Sequence, residues 1–224
     1  MEPPVLLWIY LEANALLMEI AMRTLEHPLM GHLDWSGYTT TCDWGGKIVL
    51  PSFAECYAKW CSTGTAFFRD RRTDAHRQGR FGLSIFSGSP RVGFGHGKEI
   101  DEFLEPTAPQ CAAYIALVQG HERLAESLKA QISQMACERG ASFFFLNDNE
   151  FEFLLRPENI LGTLDLEGVS ITYHSRDQLA LVGMTFHSEI WECEHGVGAV
   201  VLGDQVIHLG VAEEAWPEAM MVDP

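Results

Sequence analysis

Positive charge is scarce in this 224-residue sequence: 15 Lys and Arg stand against 31 Asp and Glu, a formal net charge of −16. Phosphate recognition rests on Lys and Arg, so the deficit argues against a nucleic-acid surface over most of the molecule. Long apolar runs are missing too. The stretch Val5 to Leu11 is far shorter than the ~20 residues that cross a bilayer, and no membrane association is expected. Glu2 precedes that stretch and the first basic residue is Arg23, so the positively charged start of a secretory leader is lacking. The six cysteines (Cys42, Cys56, Cys61, Cys111, Cys137 and Cys193) form no Cys-x-x-Cys pair. Thiols scattered in this way fit reduced, buried side chains in a cytosolic protein, and the cytoplasm is the expected compartment.

Enzyme signatures fail one after another. Gly93-Phe-Gly95-His-Gly97-Lys98 lacks the first glycine of a phosphate loop, because Val92 holds that position, and Glu99 follows the lysine where Ser or Thr is required. His121-Glu122 has no second histidine one helical turn on, so it cannot form a zincin helix. No Gly-x-Ser-x-Gly offers a nucleophile elbow. One stretch could still carry chemistry. If the strand beginning at Leu179 runs on to His195, then His187, Glu189, Trp191, Cys193 and His195 share a face by two-residue alternation. His187 and His195 would then lie ~27 Å apart at 3.4 Å per residue, so only Cys193 and His195 are close enough to share a metal or a proton. The expectation from this survey is no cofactor, no metal site and no catalytic residue. The alternative is a metal- or thiol-dependent hydrolase using the Cys193/His195 region.

What is present describes a folded domain. Apolar residues make up 47% and charged residues 21%, and a chain of this size buries a substantial core. Helical spacing of apolar residues predicts helices over 12–26, 52–62 and 107–139. The second would begin with a capping box at Ser52-Phe-Ala-Glu55, and the third near Thr107 with Gln110 at its third position. Gly120 could divide the third helix. Alternation and turn residues predict hairpins over 81–95, 142–155 and 197–209, with Gly203-Asp204 as a type II′ turn in the last, and further strands over 169–173 and 179–186. The expected fold is α+β: an antiparallel, hairpin-rich sheet with about three helices packed mainly on one side. The chain reads as a single domain over 1–224, or as a helix-rich subdomain 1–140 packed on a strand-rich subdomain 141–224.

Charge is unevenly spread. Residues 59–98 carry eight basic and two acidic side chains, whereas residues 99–224 carry five basic and 22 acidic. Arg69, Arg71, Arg72, Arg77 and Arg80 read as a solvated loop answering the acidic remainder, because the interleaved aromatics of a single-strand platform are missing. Trp35 and Trp44 fall in expected loops beside acidic residues, and Glu189, Glu192 and Glu194 surround Trp191. Aromatic anchors framed by carboxylates have the composition of an interface for a basic protein.

The segments Leu33-Asp-Trp-Ser-Gly-Tyr38 and Gly79-Arg-Phe-Gly-Leu-Ser-Ile-Phe-Ser-Gly88 set in a small acidic chain resemble the general layout of bacterial polymorphic-toxin immunity proteins. The resemblance covers the first 100 residues and no specific motif, so it assigns no functional residue. It implies a protein that recognises and neutralises a cognate toxin domain by occluding it. The tryptophans and carboxylates above, not the resemblance, give the candidate partner-binding residues Trp35, Trp44, Glu189, Trp191, Glu192 and Glu194, and the expected partner is a basic protein.

Overall fold

A computed structural model describes residues 24–38, 41–56, 74–86, 105–144, 146–174, 178–188, 190–191 and 194–216. Eight strands form one sheet in chain order: β1 (Thr24–His27), β2 (Gly31–Tyr38), β3 (Thr41–Val49), β4 (Arg80–Phe86), β5 (Asp165–His174), β6 (Leu179–His187), β7 (Val197–Leu202) and β8 (Gln205–Val211). All neighbours are antiparallel except β4 and β5, which run parallel with Ser84 opposite Ser170. The fold is therefore α+β, but the sheet is mixed, which corrects the expectation of a purely antiparallel one. Two four-stranded meanders meet at the parallel pair. A parallel pair needs a crossover rather than a tight turn, and the chain between β4 and β5 contains the longest helix.

One long helix and several short helical pieces flank the strands. They are α1 (Asp74–Arg77), α2 (Ala108–Arg139), α3 (Asp148–Leu154) and α4 (Pro157–Ile160), with single 3₁₀ turns at Pro51–Phe53, Ala141–Phe144, Leu161–Thr163 and Ala212–Ala215. Helix α2 begins as its sequence requires. Thr107 caps it, Gln110 returns the bond by accepting from the Thr107 amide at 2.9 Å, Pro109 sits in the first turn, and the Gly140 amide closes the last turn on Ala136. Gly120 does not divide it. The Asp204 turn packs there so closely that a Cβ on Gly120 would lie 2.6 Å from the Asp204 Cβ. In that turn Gly203 has φ +66° while Asp204 keeps a negative φ, in keeping with the expected type II′ geometry.

The core lies between α2 and one face of the sheet. Leu117, Leu124, Leu128 and Ile132 of the helix join Leu33, Ile48, Phe81, Ile85, Ile171, Val182 and Phe186 of the strands in one cluster. Each such side chain taken out of water stabilises the fold by about 1.5–3 kcal/mol. The cluster and the sheet both include residues on either side of residue 140. The other sheet face is partly covered by the final 3₁₀ turn, where Ala215 packs on Val200 and Leu181.

Three local expectations are corrected. Thr24–His27 is a strand, not the end of a helix over 12–26, since Leu25 pairs with Leu33 across the Pro28–Gly31 turn; residues 12–23 lie outside the described residues. The Ser52 box does not form. Pro51–Phe53 makes one 3₁₀ turn, and the Ser52 hydroxyl bonds to His121 Nδ1 at 2.7 Å instead; the remainder of the expected helix from 57 on is outside the described residues. The described residues of 142–155 hold the end of a 3₁₀ turn at Phe144 and helix α3, not a hairpin. Asn147 caps α3 by accepting from the Glu150 amide at 3.0 Å, and the Glu150 carboxylate accepts from the Asn147 amide at 3.1 Å. The expected hairpin 81–95 fails as well, because both edges of β4 are occupied, by β3 and β5; residues 91–95 themselves are not described.

Candidate functional site

The tryptophans expected as surface anchors are in the core. Trp35 on β2 and Trp44 on β3 sit opposite each other across the strand pair, and their rings meet edge to face with centroids 4.9 Å apart. Both are 4% exposed, so they occupy strands rather than loops. Trp191 is 1% exposed and lies in a bend beyond β6, not in a strand. Strand β6 stops at His187, and the buried Ser188 hydroxyl then accepts from the amides of Ile190 and Trp191 at 3.3 and 3.1 Å. This side-chain turn ends the alternation that would have placed His187, Trp191 and His195 on one face. The indole Nε1 of Trp191 donates to Thr163 Oγ1 at 2.6 Å, and Phe144 packs on its ring edge to face at 5.2 Å. Glu194 is exposed; Glu189, Glu192 and Cys193 lie outside the described residues.

Cys111 Sγ lies 3.6 Å from His27 Nε2, but His27 Nδ1 already accepts from the amides of Leu29 and Met30 at 3.2 and 3.3 Å. Those two donors keep Nδ1 unprotonated and the proton on Nε2, so the ring donates towards the sulfur and does not take its proton. Partial burial also pushes the Cys111 thiol up, the opposite of an activated nucleophile. The Ser52–His121 pair ties the 3₁₀ turn at 51–53 to α2, and among the described residues no carboxylate bonds the other ring nitrogen to orient a base. His195 Nδ1 stands 3.4 Å from Glu213 Oε1, and His208 Nε2 lies 2.7 Å from Glu214 Oε2. The first links the final 3₁₀ turn to the turn before β7, and the second links it to β8. Among the described residues, no group of three His, Cys, Asp or Glu side chains could hold a metal.

The face of β2–β5 turned away from α2 is a shallow trough of about 640 Å³. His32, Asp34, Lys47, Ser84 and Glu167 stand around a floor of glycine. His32 bridges two carboxylates, Glu26 at 2.5 Å and Asp34 at 3.1 Å. The hydrogen bond to Glu26 is the main reason its imidazole titrates above the ordinary value, although the ring stays in solvent.

Exposed aromatics appear elsewhere. In a hairpin over 142–155, alternation with Glu150 and Glu152 would turn Phe153 inward; instead Phe153 is 44% exposed and Phe143 54%. Phe143 stands on a buried aromatic stack: its ring meets Phe144 edge to face at 5.1 Å, and Phe144 in turn contacts Phe151 and Trp191. The Arg139 guanidinium lies over Phe143 at 4.8 Å and the Arg156 guanidinium over Phe153 at 5.7 Å. Residues 138–158 contain five carboxylates and two basic side chains, and the two basic ones are the arginines above the rings. The sequence signal for this surface is Asn147-x-x-Glu150, which starts a helix and so turns Phe153 outward.

The chain matches no family model, no curated protein and no solved structure.

Proposed function

We propose that this chain is an acidic binding protein that recognises and neutralises a basic protein partner, acting as an immunity protein towards a cognate bacterial toxin in the cytoplasm. The observation that carries the reading is charge: 22 acidic against five basic residues over 99–224. Much of it stands on the described surface, with Glu122, Glu126, Glu138, Asp148, Glu152 and Glu158 all exposed. A surface of one sign steers an oppositely charged protein and rejects like-charged ones, with a reach of about one Debye length, some 8 Å at physiological salt. The buried Trp35, Trp44 and Trp191 then serve as support for that surface, not as contacts.

The test is capture from the native host with the full chain as bait. The reading requires a basic protein held in fixed stoichiometry, whose own toxic activity the chain abolishes and whose association slows as salt rises. If the captured protein keeps its activity in the complex, or if association is indifferent to salt, the reading fails.

A further inference from the structure

We infer that the proposed partner docks on the surface of 138–158, with arginine side chains stacking on the exposed rings of Phe143 and Phe153. This inference rests on the binding reading above and identifies its site and chemistry. Phe143 and Phe153 are both exposed within a stretch whose carboxylates outnumber its basic side chains five to two. The mounting is rigid, because Phe143 leans on Phe144, which is clamped by Phe151 and Trp191. Rigid aromatic anchors lose little conformational freedom on binding.

The occupant follows from what already lies on the rings. Each exposed phenylalanine carries one guanidinium of this chain, from Arg139 and Arg156, so both sites have shown their fit to planar cations. A ring has two faces, and 54% and 44% exposure leaves room for a second cation. Glu138, Asp148, Glu152 and Glu158 of the same stretch are exposed and attract a cation of either kind, so the choice of arginine over lysine falls to the rings. A second copy of this chain is a poor occupant, because it would bring another −16 to the same surface.

The experiment uses two labelled probes, nona-arginine and nona-lysine, titrated against the full chain by fluorescence anisotropy at physiological salt. Equal charge isolates the contribution of stacking. The arginine probe is expected to bind about fivefold or more tightly than the lysine probe, as two partly desolvated cation–π contacts imply. The Phe143→Leu/Phe153→Leu variant keeps bulk and removes the rings; it should erase that preference while lysine binding stays within about twofold. Glu122→Gln/Glu126→Gln, on α2 away from the rings, should weaken both probes alike and keep the preference. Equal binding of the probes to the unaltered chain overturns the inference, as does a preference that survives the leucine variant. Concentration-dependent dimerisation abolished by the leucine variant also overturns it, since the occupant would then be a second copy. The two proposals fail separately. A captured toxin that binds the leucine variant unchanged defeats this surface and leaves the function standing, whereas an intact arginine preference with no basic protein captured does the reverse.

Discussion

Gln110 Nε2 donates to the Phe86 carbonyl at 2.6 Å, joining the first turn of α2 to the last residue of β4. The same amide nitrogen reaches the Ile171 carbonyl on β5 at 3.4 Å, and Gln110 Oε1 accepts from the Thr107 amide. One fully buried side chain thus caps the crossover helix and holds the two parallel strands it connects. The parallel pair spans only four registered positions, Leu83 to Phe86 against Val169 to Thr172, so a clamp at its end carries weight.

Replacing Gln110 with alanine should cost about 2–4 kcal/mol, combining a lost cap with strand carbonyls left without that donor. Thr107→Ala should cost about 1 kcal/mol alone, and less in the Gln110→Ala background, because the two side chains serve one cap. Urea unfolding of the four proteins measures both quantities. Additive losses would show that the cap and the clamp are independent.

Gly120→Ala should destabilise the protein, contrary to the gain of ~1 kcal/mol that helix propensity alone gives. The added methyl would meet the Asp204 Cβ at 2.6 Å, and overpacking of this kind costs about 1–3 kcal/mol. Asp204→Gly removes the obstructing atom along with the Arg123–Asp204 ion pair, whose cation is mostly exposed and contributes little. The double variant should therefore melt higher than Gly120→Ala alone, as differential scanning calorimetry would show.

Legibility in the sequence followed the range of the interactions. Helix α2 was readable because its period and both caps are local, although its buried stripe runs through Leu117, Leu124, Leu128 and Ile132, leaving Ile115 exposed. The strands β5, β6, β7 and β8 were readable for the same reason. The β4–β5 pairing has no local signature, since Ser84 meets Ser170 only after the crossover. At Glu150–Phe153 the alternation of acid and phenylalanine fits a strand over four residues, but the Asn147 cap decided for a helix. That one decision moved Phe153 from the expected core to the surface. Trp191 was misplaced by the opposite omission: Ser188 ends the strand through its hydroxyl, and a serine in a polar stretch gives no warning of it.

His32 supplies a pH dependence whose sign is set by its two carboxylates. Its folded pKa lies above the ordinary 6.5, chiefly through the hydrogen bond it donates to Glu26. A raised histidine value means that the stabilisation is complete below 6.5 and disappears as pH rises through the folded value. Histidine NMR should give a midpoint above 6.5, which Glu26→Gln lowers more than Asp34→Asn does. Glu26→Gln should also reduce the unfolding midpoint at pH 5.5 relative to the unaltered protein and leave it nearly unchanged at pH 8.5. A midpoint at 6.5 or below in the unaltered protein would remove the argument.

Trp191 separates support from contact. At 1% exposure, with its indole bonded to Thr163 and its ring against Phe144, it is part of the core beneath the aromatic surface. Trp191→Ala should cost about 3–5 kcal/mol, the range for deleting a large buried aromatic. Trp191→Phe should cost less, since the volume is mostly kept and only the bond to Thr163 Oγ1 is lost. Phe153→Ala removes a ring that is 44% exposed and should change stability far less than Trp191→Ala. On probe binding the order reverses: Phe153→Ala lowers the preference for nona-arginine directly, whereas Trp191→Phe, which keeps a ring under Phe144, leaves it intact. Thermal melts and anisotropy on the same three variants check the crossing. If Trp191→Phe lost the preference without losing stability, Trp191 would belong to the contact surface after all, and the assignment of that surface to Phe143 and Phe153 would be wrong.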